Sequence, residues 1–143
     1  MLGRKDYTPE ELEAATTAVG ETLAAYRTLV DAIARATDDP EVTAALGAFE
    51  PHLFNELALA LDRRFVHRLR VTTGKDGTPL NELELMTESL MNNDGVLRGN
   101  KVIKLVPAET VLQIEPGERI ALSAAQFARL SDAVLAEIRA KFV

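Results

Sequence analysis

A chain of 143 residues, 47% apolar and 27% charged, is long enough for one domain with its own core and too apolar to stay disordered. It contains no cysteine, which excludes a disulfide framework, thiol catalysis and cysteine-ligated zinc or iron–sulfur centres. Its net charge of −6 disfavours a general nucleic-acid binder.

The charge is unevenly spread. Residues 1–62 carry four Lys/Arg and twelve Asp/Glu, a net of −8; residues 63–104 carry eight and five, a net of +3; residues 105–143 carry four and five, a net of −1. Only the middle third would welcome an anionic partner. No apolar run approaches the roughly 20 residues of a membrane helix. The start, "MLGRKDYTPEELE", has no apolar run behind its basic residues. No membrane association and no secretory signal are therefore expected, and a cytoplasmic location is the default.

The first helix is announced by Thr8 as N-cap, Pro9 at the first helical position and Glu11 as capping-box partner, with Tyr7 and Leu12 placed as a hydrophobic staple. Leu12, Thr16, Val19, Leu23, Tyr26, Val30, Ile33 and Thr37 follow at steps of four and three, the seam of a long bundle-like helix. Gly20 inside it costs about 1 kcal/mol against alanine. The helix should stop at Thr37-Asp38-Asp39. A short second helix is expected from Pro40 to Phe49, with Pro51 as a break or kink. A third, from His52 to Arg70, presents Leu53, Phe54, Leu57, Leu61, Phe65 and Leu69 on one face. "TTGKDGTP" reads as a loop. Thr78-Pro79 opens a fourth helix with Leu80, Leu83, Met86, Leu90 and Met91 inward.

The period then changes. "VIKLVP" and "VLQIEPGERIAL" alternate β-branched and polar residues around a Pro116-Gly117 turn, predicting two or three short strands. Ser123 and Gln126 form a second capping box with Leu122 and Phe127 as staple, and Phe127, Leu130, Val134, Ile138 and Phe142 stripe the last helix. The expected fold is mainly α (α+β). Four to five helices pack as a bundle-like single domain over residues 1–143. The helical part covers residues 8–92, and a small two- to three-stranded β element with the C-terminal helix covers residues 101–143.

No residue set spells out catalysis. His52 and Glu56 are one helical turn apart, an acceptable spacing for two metal ligands. His67 lies about 22 Å further along the helix and cannot join them. A solvated pair is the plainer reading, so neither a metal centre nor a cofactor is expected. Ser89 and Ser123 sit in no nucleophile elbow. Glu84 and Glu88 are one turn apart, on the side away from Leu83 and Met86. Gly74-Lys75-Asp76-Gly77-Thr78 lacks the order of a phosphate loop, although the helix start at Thr78 offers free N–H groups near Lys75.

The basic segment carries more weight. Arg64 and Arg68 project beside Leu57 and Leu61, where arginines need partners; Glu21 and Asp31 of the first helix are the obvious ones. Arg63, His67, Arg70, Lys75, Arg98, Lys101 and Lys104 form one basic patch if the segment "MNNDGVLRGNKVIK" folds back over the third helix. Within that segment Asn92 to Gly95 explain themselves as a helix end and turn, and Lys101 and Lys104 as edge-strand lysines. Arg98 alone has no structural task. Residues 66–104 contain no aromatic side chain, which disfavours stacking on single-stranded nucleic acid.

These features favour a non-enzymatic interaction or regulatory module that self-associates, with a homo-oligomer or protein partner. The alternative is a binder of an anionic ligand (nucleotide, phosphate or nucleic acid) through the patch in residues 63–104.

Overall fold

The computed structural model describes residues 4–69 and 73–143, with Arg68 by its backbone only. Helix α1 runs Pro9–Ala36, α2 Pro40–Arg64, the single turn α3 Val66–Leu69, α4 Pro79–Asn92 and α5 Ala124–Phe142. Helix α5 is the hub: α1, α2 and α4 all pack against it, and α2 also packs on α4. The mainly helical, bundle-like class expected from the periodicity is what the chain adopts. Among the described residues no helix is long and apolar enough to cross a membrane.

The local start signals work as read. Thr8 accepts from the Glu11 N–H at 3.1 Å while the Glu11 carboxylate accepts from the Thr8 N–H at 2.9 Å, and Ser123 and Gln126 repeat the arrangement on α5. Tyr7 is buried, its ring edge-on to Phe65 at 4.9 Å, and its N–H donates to the Phe142 carbonyl. The start of α1 is thereby tied to the end of α5. The α1 seam packs inside the chain along its first half, where Leu12, Ala15, Leu23 and Tyr26 are buried. Beyond Tyr26 only Val30, Ile33 and Thr37 are even partly covered.

Three expectations are corrected. First, Pro51 does not divide the second and third helices; α2 runs through it, and the chain breaks instead at Phe65. A proline costs a helix interior about 3 kcal/mol. Here the helix is held on both sides of the defect: Phe54, Ala58 and Leu61 are buried against the core, and the Glu50 carboxylate accepts from the Ala124 N–H at 2.8 Å at the head of α5. Secondly, Met91 is not inward: it is 69% exposed, while α4 buries Asn81, Glu82, Thr87 and Ser89 among its leucines.

Thirdly, the described residues contain no strand; the expected β element reduces to one isolated antiparallel bridge between Val96 and Arg119, plus a 3-10 turn over Pro107–Glu109. The alternation does bury Ile103, Leu112, Ile120 and Leu122. Apart from Ile120, whose N–H donates to the Gly95 carbonyl beside the bridge, their N–H groups are claimed by side chains rather than by a ladder. Asn100 Oδ1 accepts from the N–H groups of Val102 and Ile103, the Glu82 carboxylate from those of Val111 and Leu112, and Asn55 Oδ1 from that of Leu122. Gln113, at φ 55°, also turns the chain out of an extended path.

Candidate functional site

Two clefts flank α4, and the predicted patch is divided between them. The larger, about 310 Å³, lies between the end of α2 with α3 and the outer side of α4; Asp62, Arg63, His67, Thr87, Glu88, Met91 and Asn92 line it with Leu59. The smaller, about 200 Å³, is lined by Glu84, Leu85, Glu88, Arg98, Gly99 and Asn100. Glu88 belongs to both. Arg63 and His67 are thus brought together, and Arg98 faces the next cleft across a carboxylate. Lys75, Lys101 and Lys104 are exposed and line neither. Arg70 lies outside the described residues, as does the side chain of Arg68.

The electrostatics of these clefts are mixed. Asp62 and Glu88 face Arg63 and His67 in the first, and Glu84 and Glu88 face Arg98 in the second. An anion entering either would meet carboxylates as well as cations. The helix start near Lys75 is also occupied by the chain itself. Thr78 Oγ1 accepts from the Asn81 N–H, Asn81 Oδ1 accepts from the N–H groups of Gly77 and Thr78, and Asn81 Nδ2 donates to the Gly74 carbonyl. The Lys75 carbonyl accepts from the Lys104 N–H at 2.8 Å.

Arg98 does have a structural task, through its backbone. Its N–H donates to Ser89 Oγ at 3.0 Å, which pins the loop to α4; the guanidinium stays exposed, 3.4 Å from Asn93 Oδ1. Arg64 is exposed at the end of α2 and pairs with neither Glu21 nor Asp31, both also exposed. Solvation at the helix flank removes its need for a partner. His52 and Glu56 are exposed on α2, and among the described residues no group of three or more His, Asp or Glu is gathered as a metal site would require.

The polar side chains that matter most to the architecture were not singled out by spacing. Glu82 is only 6% exposed and holds the 111–112 backbone; burial pushes its carboxyl above the ordinary carboxylate range against the two N–H groups it accepts from. Besides capping α5, Glu50 carries its charge near the buried Tyr26 hydroxyl, whose pKa is raised chiefly by burial and then by this carboxylate. The available signal for Glu82 was its place among Leu80, Leu83, Leu85 and Met86, which leaves no solvent face for it.

A third feature is apolar. The outer face of the α1–α2 hairpin holds a groove of about 90 Å³ lined by Ala18, Val19 and Thr22 of α1 and Leu57, Ala60, Leu61 and Arg64 of α2, with Phe127 as its floor. Leu29 follows Thr22 by seven residues, and Phe49 and Val42 precede Ala60 by eleven and eighteen; these are same-face spacings on a helix. On these sides of α1 and α2, Phe49 is 50%, Leu29 47% and Val42 37% exposed, and Glu56, seven residues after Phe49, shares the α2 side.

No protein-family model matches the chain, and neither a curated protein nor a solved structure matches it.

Proposed function

We propose that the chain is a non-enzymatic interaction module that self-associates through the outer face of the α1–α2 hairpin. The observation that carries this reading is that Leu29, Val42 and Phe49, on the sides of α1 and α2 that line the apolar groove, are all exposed. Single apolar side chains on a surface need no explanation, whereas a contiguous patch marks a contact surface. From Val42 to Phe49 the sequence "VTAALGAF" has no charged residue, yet only Leu46 in it is shielded from solvent. In a chain that is 27% charged, a solvent-facing helix of this length would ordinarily carry two or so charges. Covering it recovers roughly 25 cal/mol for each Å² of apolar surface.

Sedimentation velocity tests the reading. The wild-type chain should sediment as a dimer, and Phe49→Glu as a folded monomer with an unchanged circular dichroism spectrum. A wild-type chain that stays monomeric at the highest attainable concentration ends it. The anion-binding alternative has less support, because Arg63, His67 and Arg98 each share a cleft with carboxylates.

A further inference from the structure

We infer that the cleft between the α2–α3 end and the outer side of α4 binds a small aliphatic amino acid, gripping both of its charged groups. The volume of about 310 Å³ falls at the lower end of the roughly 300–1,000 Å³ typical of small-molecule sites. No residue of the apolar groove lines this cleft, so the inference stands apart from self-association.

The cleft carries opposite charges on its two walls without letting them meet. Arg63 and His67, four residues apart, belong to the α2–α3 wall, and Glu88 belongs to the α4 wall. Among the described residues neither Arg63 nor His67 forms an ion pair or a side-chain hydrogen bond. Glu88 Oε1 accepts from Asn92 Nδ2 at 2.9 Å, which leaves the second carboxylate oxygen available. Unpaired charges are ordinary on a convex surface, where an ion pair gains little. Here they border a concavity, and whatever fills it must answer both signs.

That requirement selects the ligand class. A simple anion would satisfy Arg63 and His67 but would also meet the carboxylates of Glu88 and Asp62. A simple amine would have the reverse difficulty. A zwitterion meets neither: its carboxylate takes the two-pronged guanidinium, with the imidazole as a further N–H donor, and its ammonium donates to Glu88. Leu59 and Met91 are the large apolar side chains of the lining and set the body of the ligand. Met91 is 69% exposed, and its flexible thioether chain adapts to small branched shapes.

Titration calorimetry on the full chain tests this, with L-leucine and L-valine as probes. N-acetyl-leucine keeps only the carboxylate charge, and leucinamide only the ammonium. At least one free amino acid should bind with a dissociation constant of about millimolar or below, and the blocked analogues at least about tenfold more weakly. Arg63→Ala should cost about tenfold and bind leucine and leucinamide alike, because the group that reads the carboxylate is gone. Glu88→Gln keeps an oxygen for Asn92 and should bind leucine and N-acetyl-leucine alike. Both residues are exposed, so both variants should fold, as circular dichroism will show.

No binding of either amino acid at about 10 mM overturns the site. N-acetyl-leucine binding as tightly as leucine would mark an anion site, and leucinamide doing so an amine site; either result overturns the zwitterion assignment. Binding indifferent to Arg63→Ala puts the ligand elsewhere, in the neighbouring cleft if Arg98→Ala abolishes it, and overturns the assignment as well.

Discussion

Glu82 shows how one side chain replaces an entire strand pairing. Its carboxylate accepts from Val111 at 2.8 Å and Leu112 at 3.0 Å while only 6% exposed, so the irregular 105–115 segment hangs from α4 by this group. Glu82→Ala leaves two poorly solvated N–H groups without acceptors, and chemical denaturation should show a loss of about 2–4 kcal/mol. The pH dependence has a definite sign. Burial raises the folded-state pKa of Glu82 above its ordinary value, so the native state binds the proton more tightly than the unfolded chain. This group's contribution is thus complete at acid pH and is lost as pH rises from the ordinary carboxyl pKa through the raised one. Glu82→Gln should flatten the stability profile in that window. Glu11 has the opposite sign: hydrogen bonds, first from Arg4 and then from the Thr8 N–H, hold its carboxyl at about 2. Its contribution is present above the ordinary carboxyl pKa and disappears as pH falls towards 2, where Glu11→Gln, not Glu82→Gln, should change the curve.

At the scale of elements, the 73–78 loop is fixed by a close approach that only glycine permits. Gly77 has φ +83°, and a Cβ there would stand 2.5 Å from the Lys104 carbonyl oxygen. Gly77→Ala combines an unfavourable backbone with a backbone collision and should lower stability by about 2 kcal/mol or more, seen as a lower denaturation midpoint with an unchanged slope. An equal stability for this variant would show that the loop and the Lys104 strand of chain do not touch. Both partners of that contact are distant in sequence, which marks the limit of what local pattern could reveal. The capping boxes at Thr8 and Ser123 were legible because donor and acceptor lie three residues apart. The α1 and α5 stripes were legible because helical burial repeats every three to four residues. The strands were not: Ile103, Leu112, Ile120 and Leu122 of the alternating stretch are buried, but alternation does not say who satisfies the backbone. Glu82 does so from 29 residues away and Asn55 from 67. The basic patch failed for a related reason. Arg63 and His67 share a cleft because they are one turn apart, whereas their relation to Arg98 depends on how α4 lies between, with Glu88 on the boundary.

For the whole molecule, the division of α1 and α2 into covered and uncovered halves is the organising fact. Helix α5 covers their halves nearest the core, and the hairpin's outer halves find too little partner surface within one chain: Tyr26 is 7% exposed, yet Leu29, a single turn further, is 47% exposed. If a second copy supplies the missing surface, folding and association are linked, and stability must depend on concentration. A tenfold rise in concentration adds about 1.4 kcal/mol to a dimer, shared between two chains. For a domain of this size that is about 2 °C in Tm per decade of concentration. Phe49→Glu should abolish the slope. It should also leave the low-concentration Tm within about 1–2 °C of wild type, since an exposed side chain in the monomer changes stability by only about 0.5 kcal/mol. A variant that melts far below the wild type at every concentration would mean instead that Phe49 supports the fold of its own chain, and the exposed face would lose its standing as an interface.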